Sequence, residues 1–276
     1  MADFIRFTKL PIYIDGTEIF ATSATMAESL PLQRINSLGY NGAVAVAANG
    51  PVEGTWSVDF TYTEGMNGLL GTFRKNWDNK ISVVFGANTY TKAVMTSLSY
   101  SAEANSIVTC SAGGNFYSCL GPTDGILPAA EKGPLLPDDY KEVGHGSKTE
   151  VVGISSEYFN FNWEASRTLI SIYKLNSAFP IHLDFSDETI TVNAQGNNLQ
   201  DCITKACDGV DVEYTSICPR QASVVFKVGG LCEEFTGEEL TCDGFVQDRN
   251  VEITEGDVLR GSITMVDWYS ARTIST

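Results

Sequence analysis

The chain has 276 residues, of which 43% are hydrophobic, and a formal net charge of −16. This length allows one large or two small domains, and either can bury a core without disulfide bonds. The charge is −3 up to residue 135 and −13 beyond it, which excludes proteins that hold the DNA backbone with clustered Lys and Arg.

The amino-terminal segment MADFIRFTKLPIYIDG carries charges where a signal peptide needs an apolar core. No run approaches the roughly 18 apolar residues of a membrane span, so we expect a cytosolic origin and no membrane partner. In a cytosol the seven cysteines are expected to be free thiols. Cys202 and Cys207 lack a second pair at zinc-finger spacing, and His145 and His182 lie apart from them, so no metal site is predicted.

A glycine-rich stretch, SLGYNGAVAVAANGPVEGTWSVDFTY, occupies residues 37 to 62. It contains no lysine, so it is not a phosphate-binding Walker loop. Its glycines are interpreted as backbone devices. Gly39 and Gly42 let the chain turn, and Gly50 and Gly54 shape a tight connection into a strand at 56–62.

Strand patterns dominate the chain, and Asn, Gly, Asp and Pro clusters separate them. Alternating or β-branched runs predict strands at 56–62, 81–85, 97–102, 188–194, 223–226 and 262–269. Apolar residues at helical spacing predict two short helices, at 66–77 and 197–209. The prediction is an all-β fold with one short helix in each half.

The order of these elements recurs. In each half a strand precedes the helix, the helix precedes a strand containing SVVF (82–85 and 223–226), and a turn, a strand and a polar hairpin follow. Chance could repeat so short a word, but the matching order favours a duplication. We therefore predict two tandem β-sandwich domains, at 1–120 and 141–276, joined by a Pro/Gly-rich linker at 121–140.

A search for reaction chemistry finds no convincing site. GHGSKT (144–149) has a serine in place of the last Walker glycine and leads into a strand. The paired carboxylates are expected in so acidic a chain. Asp208, Asp211 and Glu213 could bind calcium weakly, although an ordinary turn explains them better. Trp56 and Trp77 fit a core, and Trp163 could face either way. We expect no enzyme, no catalytic residue and no cofactor.

One resemblance adds to this description. The segment LPLQRINSLGYNGAVAVAANGPVEGTWSVDFTY, a helix, and then ISVVFGANTYTKAVMTSLSYSAEANSIVTCSAGGNFY resemble virion structural proteins of tailed bacteriophages, most of all tail tube proteins. The resemblance covers about residues 10–120, and in the second half only the element order and EYFNFNW carry it. It implies homo-oligomeric rings with an inner β-barrel, stacked into a tube that conducts DNA without specific binding.

The resemblance also implies a location in the virion tail, assembly in the host cytoplasm, contacts with other tail proteins, and three-chain rings that imitate six-fold symmetry. The expected subunit-interface segment then comprises Gly39, Gly42, Gly50, Pro51 and Gly54, with Ala43–Ala48 exposed or packed on a neighbour. The alternatives are a phage or bacterial β-sandwich binding module, such as an adhesin or carbohydrate-binding domain, and a neck, tail-tip or capsid-decoration protein.

Overall fold

The protein is all-β in a computed structural model that describes residues 12–39, 41–48, 50, 53–75, 80–86, 88–117, 141–152, 157–175, 177, 179–197, 221–230, 236–252 and 260–269. The strands are β1 (Ile12–Ile14), β2 (Thr17–Ile19), β3 (Ala21–Ser29), β4 (Leu32–Asn36), β5 (Ala43–Ala48), β6 (Glu53–Thr61), β7 (Ile81–Phe85), β8 (Asn88–Glu103), β9 (Thr109–Tyr117), β10 (Glu150–Val152), β11 (Glu157–Ser166), β12 (Leu169–Ile172), β13 (His182–Phe185), β14 (Glu188–Asn197), β15 (Gln221–Gly229), β16 (Thr236–Glu252) and β17 (Arg260–Tyr269). One α-helix, α1 (Leu69–Phe73), lies between β6 and β7.

Eight of these strands form one continuous antiparallel sheet, in the order β3-β6-β9-β8-β11-β14-β17-β16. Alternation is clearest in β6, where Trp56, Val58 and Phe60 are buried on the inner side and their neighbours are exposed. The first part of β8 pairs with β7, and β1 and β2 follow β7 in the sheet. The first part of β16 pairs with β15, and β10 follows β15. These strands cover the apolar side, and Phe226 of β15 stacks on Phe161 of β11 at 4.5 Å.

Each half of the chain repeats one connectivity. The pairing β3-β6-β9-β8-β7-β1 of the first half recurs as β11-β14-β17-β16-β15-β10 in the second. A two-stranded hairpin follows the first strand of each set, β4–β5 after β3 and β12–β13 after β11.

Two β-bulges occupy matching places in the two halves. The register shifts between Ala21 and Ser23 in β3, and between Tyr158 and Asn160 in β11. It shifts again at Met95/Ser97 in β8 and at Val246/Asp248 in β16. A bulge fixes the local register and twist, so these bulge pairs align the two halves residue by residue. Each residue of β3–β5 matches the residue 137 positions later in β11–β13. Each residue of β8–β9 matches the residue 151 positions later in β16–β17. On this alignment Trp56 corresponds to Val192, because Trp56 lies opposite Gly114 of β9 and Val192 lies opposite Met265, the matching residue of β17.

One hydrophobic core serves both halves. Its buried residues include Trp56 and Phe73 from the first half and Trp163, Phe226 and Met265 from the second. Polar contacts cross between the halves as well, and the guanidinium of Arg74, just after α1, donates to both carboxylate oxygens of buried Glu188.

The strand predictions at 81–85, 97–102, 188–194, 223–226 and 262–269 are confirmed within β7, β8, β14, β15 and β17, and the prediction at 56–62 is confirmed by β6 except for Tyr62, just after the strand. The helix predicted at 66–77 begins only at Leu69, because Gly68 before it has φ of 98°, and it ends at Phe73. Residues 76 and 77 of the prediction lie outside the described residues. The predicted helix at 197–209 lies outside the described residues except for Asn197, the last residue of β14. The linker at 121–140 is also outside them, so the division into tandem domains stays a prediction.

Candidate functional site

The side of the eight-stranded sheet that faces away from the core carries polar residues in four rows that cross the strands. We call this set the polar face. Its rows of directly opposed residues are Thr25, Ser57, Gly113, Ser97, Ser166, Thr189; Ser23, Asp59, Ser111, Ser99, Glu164, Thr191; Thr61, Thr109, Ser101, Asn162, Asn193, Thr264, Asp248; and Glu103, Asn160, Gln195, Ser262, Asn250. The ladders of the first two rows continue into apolar residues of β17 and β16, with Trp268 opposite Thr189, Val266 opposite Thr191 and Phe245 opposite Val266, and the polar face ends there.

The polar face carries carboxylates and no basic side chain. Asp59, Glu103, Glu164 and Asp248 are its charged members, and none of the residues in the four rows is Lys or Arg. The remaining side chains are mostly short hydroxyls and amides, and several bond to one another, as Ser23 Oγ donates to Asp59 Oδ2 at 2.6 Å and Thr264 Oγ1 donates to Asn193 Oδ1 at 2.8 Å. Such a surface repels phosphate groups and offers them no cation.

Among the described residues, the sheet ends in two edges that have no further strand paired to them. β3 pairs with β6 and with no other described strand. In the described structure, residues 246–252 of β16 pair with β17 on one side. On the other side, the pairing of β16 with β15 ends at the pair Phe245–Gln221. The corresponding segments in the middle of the sheet, β11 and the end of β8, pair with each other over seven residue pairs from Asn160–Glu103 to Ser166–Ser97. The described structure therefore contains one junction between halves, while the corresponding segments of β3 and β16 have no described partner.

The two hairpins differ in their surroundings. The β12–β13 hairpin packs on β8 and β9, where it buries Val94 and Tyr117 together with its own Leu183. Ser171 Oγ lies 2.8 Å from the Tyr117 hydroxyl. Among the described residues nothing packs on the β4–β5 hairpin in this way, and its Leu32, Ile35, Val44 and Val46 are exposed.

Only some of the glycines that were predicted to shape turns lie at turns. Gly39 and Gly42 have φ of +87° and +118°, as turn positions require. Gly54 was predicted to shape the connection into the strand, and this is wrong, because it lies inside β6 and is buried. A Cβ there would come within 2.1 Å of the Phe116 ring, so packing requires this glycine. Gly50 lies against Pro31, and Pro51 lies outside the described residues.

Other predicted residues are not brought into one site. Trp163 is buried, and its Nε1 donates to the Thr241 carbonyl oxygen. His145 caps the short 3-10 helix Gly146–Lys148 and is followed by β10, so GHGSKT leads into a strand as predicted. Cys110 and Cys242 are free and buried. Within the described part of the chain, no group of three or more His, Cys, Asp or Glu side chains could hold a metal.

Sequence reasoning did not find the polar face, because its rows exist only once the strand order is known. The signal was nonetheless present, since the polar positions of TSLSYSAE, EYFNFNWEAS and WSVDFTY carry no Lys or Arg.

No protein-family model matches the chain, and no curated protein sequence matches it. No helix within the described ranges is both long and apolar enough to cross a membrane.

Proposed function

We propose that this chain is a structural subunit of a tailed-bacteriophage virion, which assembles in the host cytoplasm into stacked rings that form a DNA-conducting tail tube. One observation carries the proposal: the join between β8 and β11 inside the chain has an unfilled counterpart, made of the open edges of β16 and β3. Two copies that repeat the internal join would pair these edges.

This contact is head-to-tail, because it uses different surfaces of the two copies. Head-to-tail contacts close into rings when the rotation between copies divides a full turn. Each chain supplies two similar units, so three chains give the pseudo-six-fold ring that the resemblance implies. Ring closure also removes the open edges, which otherwise invite uncontrolled strand addition.

The polar face supports the same function. In a closed ring its opposite side stays packed on the core and the second layer of strands, so the polar face lines the inner barrel. Its carboxylates and its lack of Lys and Arg suit a channel through which DNA passes without sticking. A binding surface for DNA would need the reverse charge.

The alignment of the halves also specifies the register of the new junction. Inside the chain, Glu164 of β11 lies opposite Ser99 of β8. The matching residues are Ala27 of β3 and Asn250 of β16, both exposed in the single chain. We therefore expect Ala27 of one copy to lie opposite Asn250 of the next, with Ser29 opposite Asp248.

A cysteine pair tests this register. The double variant Ala27→Cys, Asn250→Cys is expected to form disulfide-linked dimers and trimers on mild oxidation. The control, Thr25→Cys with Asp248→Cys, alters the same two strands but separates the cysteines by four residues along the strand, about 13 Å, beyond the reach of a disulfide. The buried thiols of Cys110 and Cys242 are common to both variants. Equal cross-linking in both, or in neither, would contradict the proposed junction.

A second candidate function is carbohydrate binding, and one feature favours it. Trp268 is 62% exposed and its ring centroid lies 6.4 Å from that of Phe245, which resembles an aromatic platform for a sugar ring. If this function is the true one, the protein stays monomeric and a glycan panel yields a ligand whose binding Trp268→Ala abolishes. Assembly into rings with no glycan ligand would exclude it.

A further inference from the structure

The exposed β4–β5 hairpin and the exposed Phe245–Trp268 pair lie at opposite ends of the chain's repeated architecture. We propose that the β4–β5 hairpin of one copy covers Phe245 and Trp268 of the next copy. The inference rests on the proposed ring assembly and identifies a second contact within the same interface.

The internal junction provides the template. Where β11 joins β8, the β12–β13 hairpin folds over the sheet and packs on Val94 of β8 and Tyr117 of β9. Leu183 of the hairpin is 2% exposed there. The contact is fixed by the hydrogen bond between the Tyr117 hydroxyl and Ser171 Oγ. Strand pairing and hairpin docking therefore occur together.

The second half presents the matching surface uncovered. The aligned bulges of β8 and β16 make Phe245 the counterpart of Val94, and Trp268 the counterpart of Tyr117. Val94 and Tyr117 are buried under their hairpin, whereas Phe245 and Trp268 are exposed. A large exposed aromatic pair beside an open strand edge is typical of an interaction surface.

The exposures of the two hairpins identify the side that makes the contact. Ile35 and Ile172 are matching residues and both are 46% exposed; Val44 and Ile181 match and both are 47% exposed.

Val46 and Leu183 also match, yet Val46 is 59% exposed and Leu183 only 2%. The hairpins therefore differ at the position that packs on the sheet and agree at those that do not. In the proposed contact, the surface of the next copy that carries Phe245 and Trp268 buries Val46.

Two variants on opposite sides of the contact test the proposal. Val46→Glu changes the hairpin, and Phe245→Glu changes the surface it would cover. Both residues are exposed in the single chain, so both variants should keep the wild-type circular dichroism spectrum and melting temperature. Each is expected to raise, at least tenfold, the protein concentration at which half the mass is in rings, as measured by mass photometry.

The control is Leu38→Glu. Leu38 and its counterpart Leu175 at the hairpin tips are both almost fully exposed, even though the β12–β13 hairpin is docked. Leu38→Glu is therefore expected to form rings like the wild type. Rings from Val46→Glu and Phe245→Glu at wild-type concentrations would overturn the hairpin contact and leave the ring proposal standing. A wild type that stays monomeric at every concentration would overturn the ring proposal, and the hairpin contact with it.

A mixing experiment tests the direction of the contact. The Phe245→Glu chain has an unmodified hairpin, and the Val46→Glu chain has an unmodified sheet surface. In an equimolar mixture, the hairpin of the first can therefore bind the sheet surface of the second, which leaves one unmodified interface in each mixed pair. The expected product is a mixed dimer that cannot close into a ring. A mixture that remains monomeric would contradict the proposal.

Discussion

Glu238 of β16 connects the two halves through the core, and its removal is the sharpest stability test that the structure offers. Its carboxylate accepts a hydrogen bond from the Tyr100 hydroxyl at 2.5 Å and another from the backbone N–H of Leu70 at 3.0 Å. Its own N–H donates to the Tyr62 hydroxyl at 2.9 Å. Both tyrosine rings belong to the buried core.

Glu238→Ala removes both carboxylate bonds. A hydrogen bond to a charged group contributes about 1.5–3 kcal/mol, and a buried hydroxyl left without a partner costs about 1–3 kcal/mol. Relief of the carboxylate's own desolvation offsets part of this loss, so we expect about 3 kcal/mol of destabilisation. Glu238→Gln can still accept from Leu70 and should lose about 1 kcal/mol.

Urea denaturation followed by circular dichroism measures these differences, provided that the slope with urea is unchanged. The matched control is Glu239→Ala, at the neighbouring, exposed position, where a change within about 0.5 kcal/mol is expected. The reasoning is refuted if Glu238→Ala is as stable as the control, or if both lose equally.

Burial raises the pKa of the Tyr100 phenol well above 10.0. The contribution of the neutral phenol to the free energy of unfolding is therefore complete below about pH 10 and is lost as the pH rises further. Urea titrations at increasing pH should show this loss, and a weaker one in Tyr100→Phe. Gly114→Ala should lower the melting temperature, because a Cβ would lie 1.9 Å from the Val94 carbonyl oxygen, whereas Gly71→Ala in α1, with open space around it, should raise stability by up to about 1 kcal/mol. Leu38→Glu combined with Leu175→Glu should leave rings intact but prevent their stacking into sedimentable tubes, since these exposed leucines project from both hairpins; tubes as long as those of the wild type would exclude this role.

Sequence patterns predicted several of the strands that have one buried side, but not β9, β11 or β16, which also bury one side. β6 alternates strictly and was predicted from its fourth residue to its end, and β7, β14 and β17 also followed their patterns. β3 was missed because most of its side chains are exposed, so ATSATMAES shows no hydrophobic period. β4 and β5 were missed for the same reason.

The candidate site was beyond sequence reasoning for a different reason. Its rows join residues as distant as Ser57 and Thr189, and the order of the strands places them on one face. The repeat was visible as an order of elements, but its alignment required the ladder registers and bulges. Only that alignment reveals which edges and surfaces of the second half lack the partner found in the first.

The rotational symmetry of the purified, assembled protein, seen end-on in class averages from electron micrographs, tests the central claim most directly. We predict a closed ring of three chains with six similar lobes around an open channel. Rings of six chains would contradict the pairing of β16 with β3 between similar halves, and a monomer at every concentration would contradict assembly altogether.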